Sequence, residues 1–68
     1  MTTIAKRQDE LVAAVRALHQ SAAIVAHLAD PGAPRSTKLD KWCQRHIDNR
    51  RAVIEAACEL AAAITSLH

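Results

Sequence analysis

Two prolines and the chain's only glycine fall within five residues, Asp30-Pro31-Gly32-Ala33-Pro34. Proline lacks an amide proton and clashes with the preceding turn, so no helix continues through such a segment. Nothing comparable interrupts the sequence on either side, and both flanks are rich in alanine and leucine, which favour helix. The 68 residues therefore read as one all-α domain, 1–68. Two long helices, about 3–29 and about 37–67, turn back on each other as an antiparallel hairpin.

The ends of these helices carry capping residues. Thr2 or Thr3 opens the first, and Ser36 or Thr37 opens the second, with Asp40 three residues after Thr37 in a near match to a capping box. Within the first helix, Ile4, Gln8, Leu11, Val15, Leu18, Ala22, Val25 and Ala29 alternate at spacings of four and three, the pattern of a left-handed packing seam. A weaker apolar strip of Ala13, Ala17, Ile24 and Leu28 lies to one side. The second helix places Leu39, Cys43, His46, Ile47, Val53, Ile54, Ala57, Leu60, Ala61, Ile64 and Leu67 on one side, with Arg50 at the centre of that stripe.

This stripe is wider than one neighbour covers, and half of the chain is apolar with only one aromatic residue, so a thin core is expected. A domain of this size is marginal without a disulfide, a metal or a partner chain. Two hairpins paired about a two-fold axis as a four-helix-bundle homodimer are the simplest solution. The expected core and dimer seam comprises Leu11, Val15, Leu18, Val25, Ile47, Ile54, Leu60 and Ile64.

Arg50 is the strongest local signal for a contact site. A guanidinium on an apolar stripe needs water at the stripe's edge, a partner chain or an anion, and the first helix offers no carboxylate at its level. It either sets register between chains or recognises an acidic group on a partner. The second signal is basic clustering: Arg35, Lys38, Lys41, Arg45, Arg50 and Arg51 stand against Asp40 and Asp48. Trp42 sits among them, ringed by Lys38, Lys41, Arg45 and His46, and is either a cover for the loop end of the bundle or an interface anchor. The candidate partner-binding set is Arg50, Trp42, Arg45, His46, Lys41 and Lys38.

Chemistry is harder to find. Cys43 and Cys58 are too far apart along one helix to pair, and the four histidines show no metal-ligand spacing, so neither a metal nor another cofactor is expected. Cys43 and His46 are neighbours on a helix, but two thin helices supply no pocket for a catalytic dyad. A non-enzymatic protein is expected. No uninterrupted apolar run approaches the roughly 18 residues of a membrane span, and the start of the chain lacks the order of a secretory signal, which points to the cytoplasm.

The net charge of +2 does not by itself imply nucleic acid. The first expectation is a small protein-interaction module, an adaptor or inhibitor that masks a surface on a larger protein. The alternative is a nucleic-acid-binding regulator that lays the Arg35 to Arg51 cluster along phosphates.

Thr37 to Leu67 folded back on Thr3 to Ala29, with three-four spacing and a Pro-Gly corner, resembles the Rop-type dimeric RNA-binding hairpins. It also resembles small phage-encoded hairpin proteins that disable host regulators, and the small co-chaperones of type III secretion. The resemblance implies a paired hairpin. Its Rop-type branch implies RNA binding through the first helix and its symmetry mate, and its phage branch implies inhibition of a host protein.

Overall fold

The computed structural model describes residues 3–29, 31–32 and 36–67. It contains two helices, α1 (Ile4–Leu28) and α2 (Thr37–Thr65), packed side by side in a rod with principal extents of 53 × 16 × 13 Å. The all-α hairpin expected from the proline corner is the observed architecture.

Both helices begin where a side-chain oxygen can take up an orphan amide. The Thr3 hydroxyl accepts from the Lys6 amide at 3.1 Å, and the Ser36 hydroxyl accepts from the Leu39 amide at 3.1 Å. Ser36 is thus the cap of α2, one residue ahead of the Thr37 in the expected capping box. The α1 helix closes with the Ala29 amide donating to the Val25 carbonyl at 2.8 Å, just before the proline segment. Asp30, Ala33, Pro34 and Arg35, which complete the expected corner, lie outside the described residues, as do Met1, Thr2 and His68.

A bond between Ser21 Oγ and His46 Nδ1 at 2.9 Å sets the antiparallel register. Counting outward from that pair places Leu18 level with Asn49, Leu11 with Ala56, Val25 with Trp42 and Leu28 with Leu39. The less exposed positions follow the same layers. In α1 they include Ile4, Arg7, Leu11, Ala14, Leu18, Ser21, Val25 and Leu28, and in α2 Leu39, Trp42, His46, Asn49, Val53, Ala56, Leu60 and Ala63. Each series alternates three and four residues without a break, as a coiled-coil seam does.

The period of the expected seam is therefore right and its phase is displaced. Ile4, Leu11, Leu18 and Val25 belong to the seam, but Gln8, Val15, Ala22 and Ala29 are exposed, and Arg7, Ala14, Ser21 and Leu28 stand in their place. Ala17, Ile24 and Leu28 of the supposed side strip are half-buried beside α2. The cause is alanine, which makes both flanks of Leu11 and Leu18 similarly apolar, so the period alone does not distinguish them. The pairing observed sets the small Ala14, Ser21, Ala56 and Ala63 between the rods.

The seam's centre is polar. Ser21 is fully buried; its hydroxyl meets the Leu18 carbonyl at 3.0 Å as well as His46. One layer away, Asn49 Nδ2 donates to the Ala17 carbonyl at 3.1 Å. At the open end Arg7 bridges Glu10 at 3.3 Å and also pairs with Glu59 across the helices. Among the described residues no apolar side chain is buried. None therefore gains the full ~1.5–3 kcal/mol that complete burial of a Val, Leu or Ile provides.

By length and composition α1 is apolar enough to cross a membrane. This differs from the expectation drawn from uninterrupted runs, because Ala, Val, Leu and Ile dominate the average even though Arg16, His19 and Gln20 break the sequence.

Candidate functional site

In an antiparallel pair of helices, the positions flanking the seam on one side of α1 meet the corresponding positions of α2, so the rod has two distinct broad faces. The cross-helix bonds from Arg7 to Glu59 and from Asn49 to Ala17 identify one of them. That face carries Glu10, Ala17 and Ile24 from α1, and Lys38, Arg45 and Glu59 from α2. The opposite face carries Val12, Val15 and Ala22 from α1, and Ile47, Arg50, Ile54, Ala57 and Ile64 from α2.

On the first face, near the proline corner, Lys41, Trp42 and Arg45 line a shallow hollow. The Arg45 guanidinium carbon lies 5.2 Å from the centre of the Trp42 ring, a cation–π arrangement that holds both side chains beside the hollow. Lys38 stands one turn before Trp42. These four residues of the expected partner-binding set lie within two turns of α2, and the hollow lined by Lys41, Trp42 and Arg45 has the chemistry to receive an anionic group. Asp48, Glu55 and Glu59 continue the same face further along α2 and end its basic character. Arg35 lies outside the described residues.

Two members of the set are elsewhere. His46 does not ring Trp42; its imidazole is in the seam, bonded to Ser21. Arg50 is neither buried in the hairpin nor part of the basic cluster. It is exposed on the opposite face, because Asn49 occupies the seam layer that the expected stripe assigned to its neighbour. The sequence reading passed over Ser21 and Asn49, polar residues that a hydrophobic-stripe argument assigns to solvent. The signal that could have found them is their three-four spacing with Leu18, Val25, His46 and Val53.

From Ile47 to Ile64 the α2 side of the opposite face is apolar but for Arg50, and Val12, Val15 and Ala22 continue it on α1. Val12, Val15, Ile47, Ile54 and Ile64 are between 37% and 61% exposed, and they are all of the large exposed hydrophobic side chains within the two described helices. All five lie on this one face. Arg50 stands among them, within one turn of the level of Val15, with no ion-pair partner among the described residues. Of the expected seam, Leu11, Leu18, Val25 and Leu60 face the neighbouring helix, whereas Val15, Ile47, Ile54 and Ile64 point away from it.

Cys43 is half-buried and Cys58 exposed, both as free thiols. Among the described residues no three His, Cys, Asp or Glu side chains gather as metal ligands. No family model matches the chain, and neither the curated proteins nor the solved structures yield a significant match.

Proposed function

We propose that this chain is a small non-enzymatic protein-interaction module, an adaptor or inhibitor that binds and masks a surface on a larger protein. In that partner's absence, two copies cover each other as a four-helix-bundle homodimer. The observation that carries this reading is the gathering of every large exposed hydrophobic side chain of the helices onto one face of a hairpin in which no apolar side chain is buried among the described residues. Val12 and Val15 on α1 and Ile47, Ile54 and Ile64 on α2 widen the apolar surface beyond the seam, as in helices with more than one neighbour. Contiguous apolar patches of this kind mark contact surfaces. The same reading places the protein in the cytoplasm, where detergent-free fractionation should recover it in the soluble fraction.

The test is capture from the native host with wild type and with Ile54→Lys, read by mass spectrometry beside sedimentation of both proteins. Wild type should self-associate and retain a specific protein, and the variant should lose both. Equal capture by both would overturn the reading.

The Lys41, Trp42 and Arg45 hollow, with Lys38 one turn away on the same helix, supports a second reading, a Rop-like nucleic-acid binder. A phosphate binder loses affinity steeply with salt, about one unit of logarithmic slope per contact. Titration of RNA and DNA at low and high salt, with Arg45→Glu as control, decides it.

A further inference from the structure

Between Ile47 and Ile64 the apolar face carries a single charge, Arg50, for which no salt bridge is found among the described residues. Arg50 is flanked by Val15 across the hairpin and by Ile47 and Ile54 along α2, and no carboxylate lies on this face between them. The nearest candidates are Asp40, toward the corner, and Asp9, on the outer edge of α1; each is eight to ten residues along the axis from Arg50, roughly 12–15 Å.

A second copy does not supply the missing charge. With loops at the same end, the partner's α1 lies over α2 at the same level and sets valine and histidine positions against Arg50. With loops at opposite ends and full overlap, α2 lies over its mate, and the two Arg50 side chains approach each other among isoleucines. Only a slide that leaves Ile64 and its surroundings uncovered brings Asp40 of one copy to Arg50 of the other. Self-pairing through this face therefore encloses two like charges without counter-ions, a costly arrangement.

We infer that the preferred occupant of this face is an amphipathic helix of a different protein, with apolar residues at three-four spacing and a Glu or Asp at its centre opposite Arg50. Such a helix fills the groove between α1 and α2 as the third member of a bundle. It displaces the second copy because its carboxylate pairs with the guanidinium at the moment both leave water. Ile47 to Ile64 spans about 26 Å of helix, so a segment of about 20 residues covers the face. Arg50 is then a specificity device: it penalises self-pairing and apolar competitors and rewards an acidic helix. The inference rests on the interaction-module reading and names its partner's chemistry.

The test uses the full chain and three synthetic helical peptides of about 20 residues, identical but for Glu, Gln or Lys at the central position of an otherwise leucine-based stripe. Fluorescence anisotropy gives their affinities, and sedimentation equilibrium gives self-association. The Glu peptide should bind at least about ten-fold more tightly than the Lys peptide, and Arg50→Glu should reverse that order. Arg50→Leu should erase the preference while tightening self-association about ten-fold. Circular dichroism checks that both variants remain helical.

Equal binding of the three peptides to wild type, or no binding by any of them, overturns the inference. So does weaker self-association of Arg50→Leu, which would mean that the arginine serves the homodimer. Equal binding would leave the face an interaction surface without charge preference, whereas failure of the Ile54→Lys capture experiment removes the interaction reading itself.

Discussion

Ser21 and His46 meet at 2.9 Å across the middle of the hairpin, and the serine is the only fully buried side chain among the described residues. A polar pair at the driest point of a seam contributes more to register than to strength, since a slip of either helix would strand both groups. Removing one partner alone is the costly change. Ser21→Ala should lower stability by about 1–3 kcal/mol, the penalty for an unsatisfied buried polar group, and the double variant Ser21→Ala, His46→Leu should recover most of it. Urea melts followed by circular dichroism measure both; a double variant no more stable than the single one would show that the hydrogen bond is not the source of the loss.

Leu18 and Ile54 separate the inner seam from the outer face. Leu18→Ala should cost about 1–3 kcal/mol at any protein concentration, because the side chain contacts the neighbouring helix within one chain. Ile54→Ala should cost less than about 0.5 kcal/mol in dilute protein, with the difference growing as concentration rises and a second molecule covers that face. Thermal melts across a hundred-fold range of concentration distinguish them, and parallel curves for the two variants would contradict the division.

Arg7 and Glu59 close the end of the rod remote from the proline corner. Both side chains keep contact with water, so Glu59→Gln should lower stability by no more than about 1 kcal/mol. Raising salt to about 1 M should reduce wild type by a similar amount and the variant by less. Equal salt responses would mean that the pair adds nothing in solution.

Trp42 is the only fluorophore of its kind in the chain, and Arg45 covers one side of its ring. Arg45→Ala should open the indole to acrylamide, raising the quenching constant by about half or more while leaving helix content unchanged. No change in quenching would show that the guanidinium does not rest on the ring.

The helix type and the antiparallel return were legible because each follows from residues with a single local meaning: a proline such as Pro31 excludes helix, and Thr3 and Ser36 favour its start. The phase of the seam was not. Ala14 and Ala22 are alike in sequence, and only the fit of α1 against α2 sends the first inward and the second outward. The same one-residue displacement moves Arg50 from the supposed core to an exposed face and draws in Asn49. Trp42 lies near Lys38, Lys41 and Arg45 because these residues share one helix, whereas His46, though equally near in sequence, is held by a bond to the other.

The rod is more than three times as long as it is wide. A slender particle tumbles and diffuses as if it were larger, so one molecule leaves a sizing column ahead of a rounded protein of the same 7.4 kDa. Elution volume alone would make a solitary hairpin look paired, and the stoichiometry of this protein should be weighed by light scattering or native mass spectrometry, which register mass and not outline.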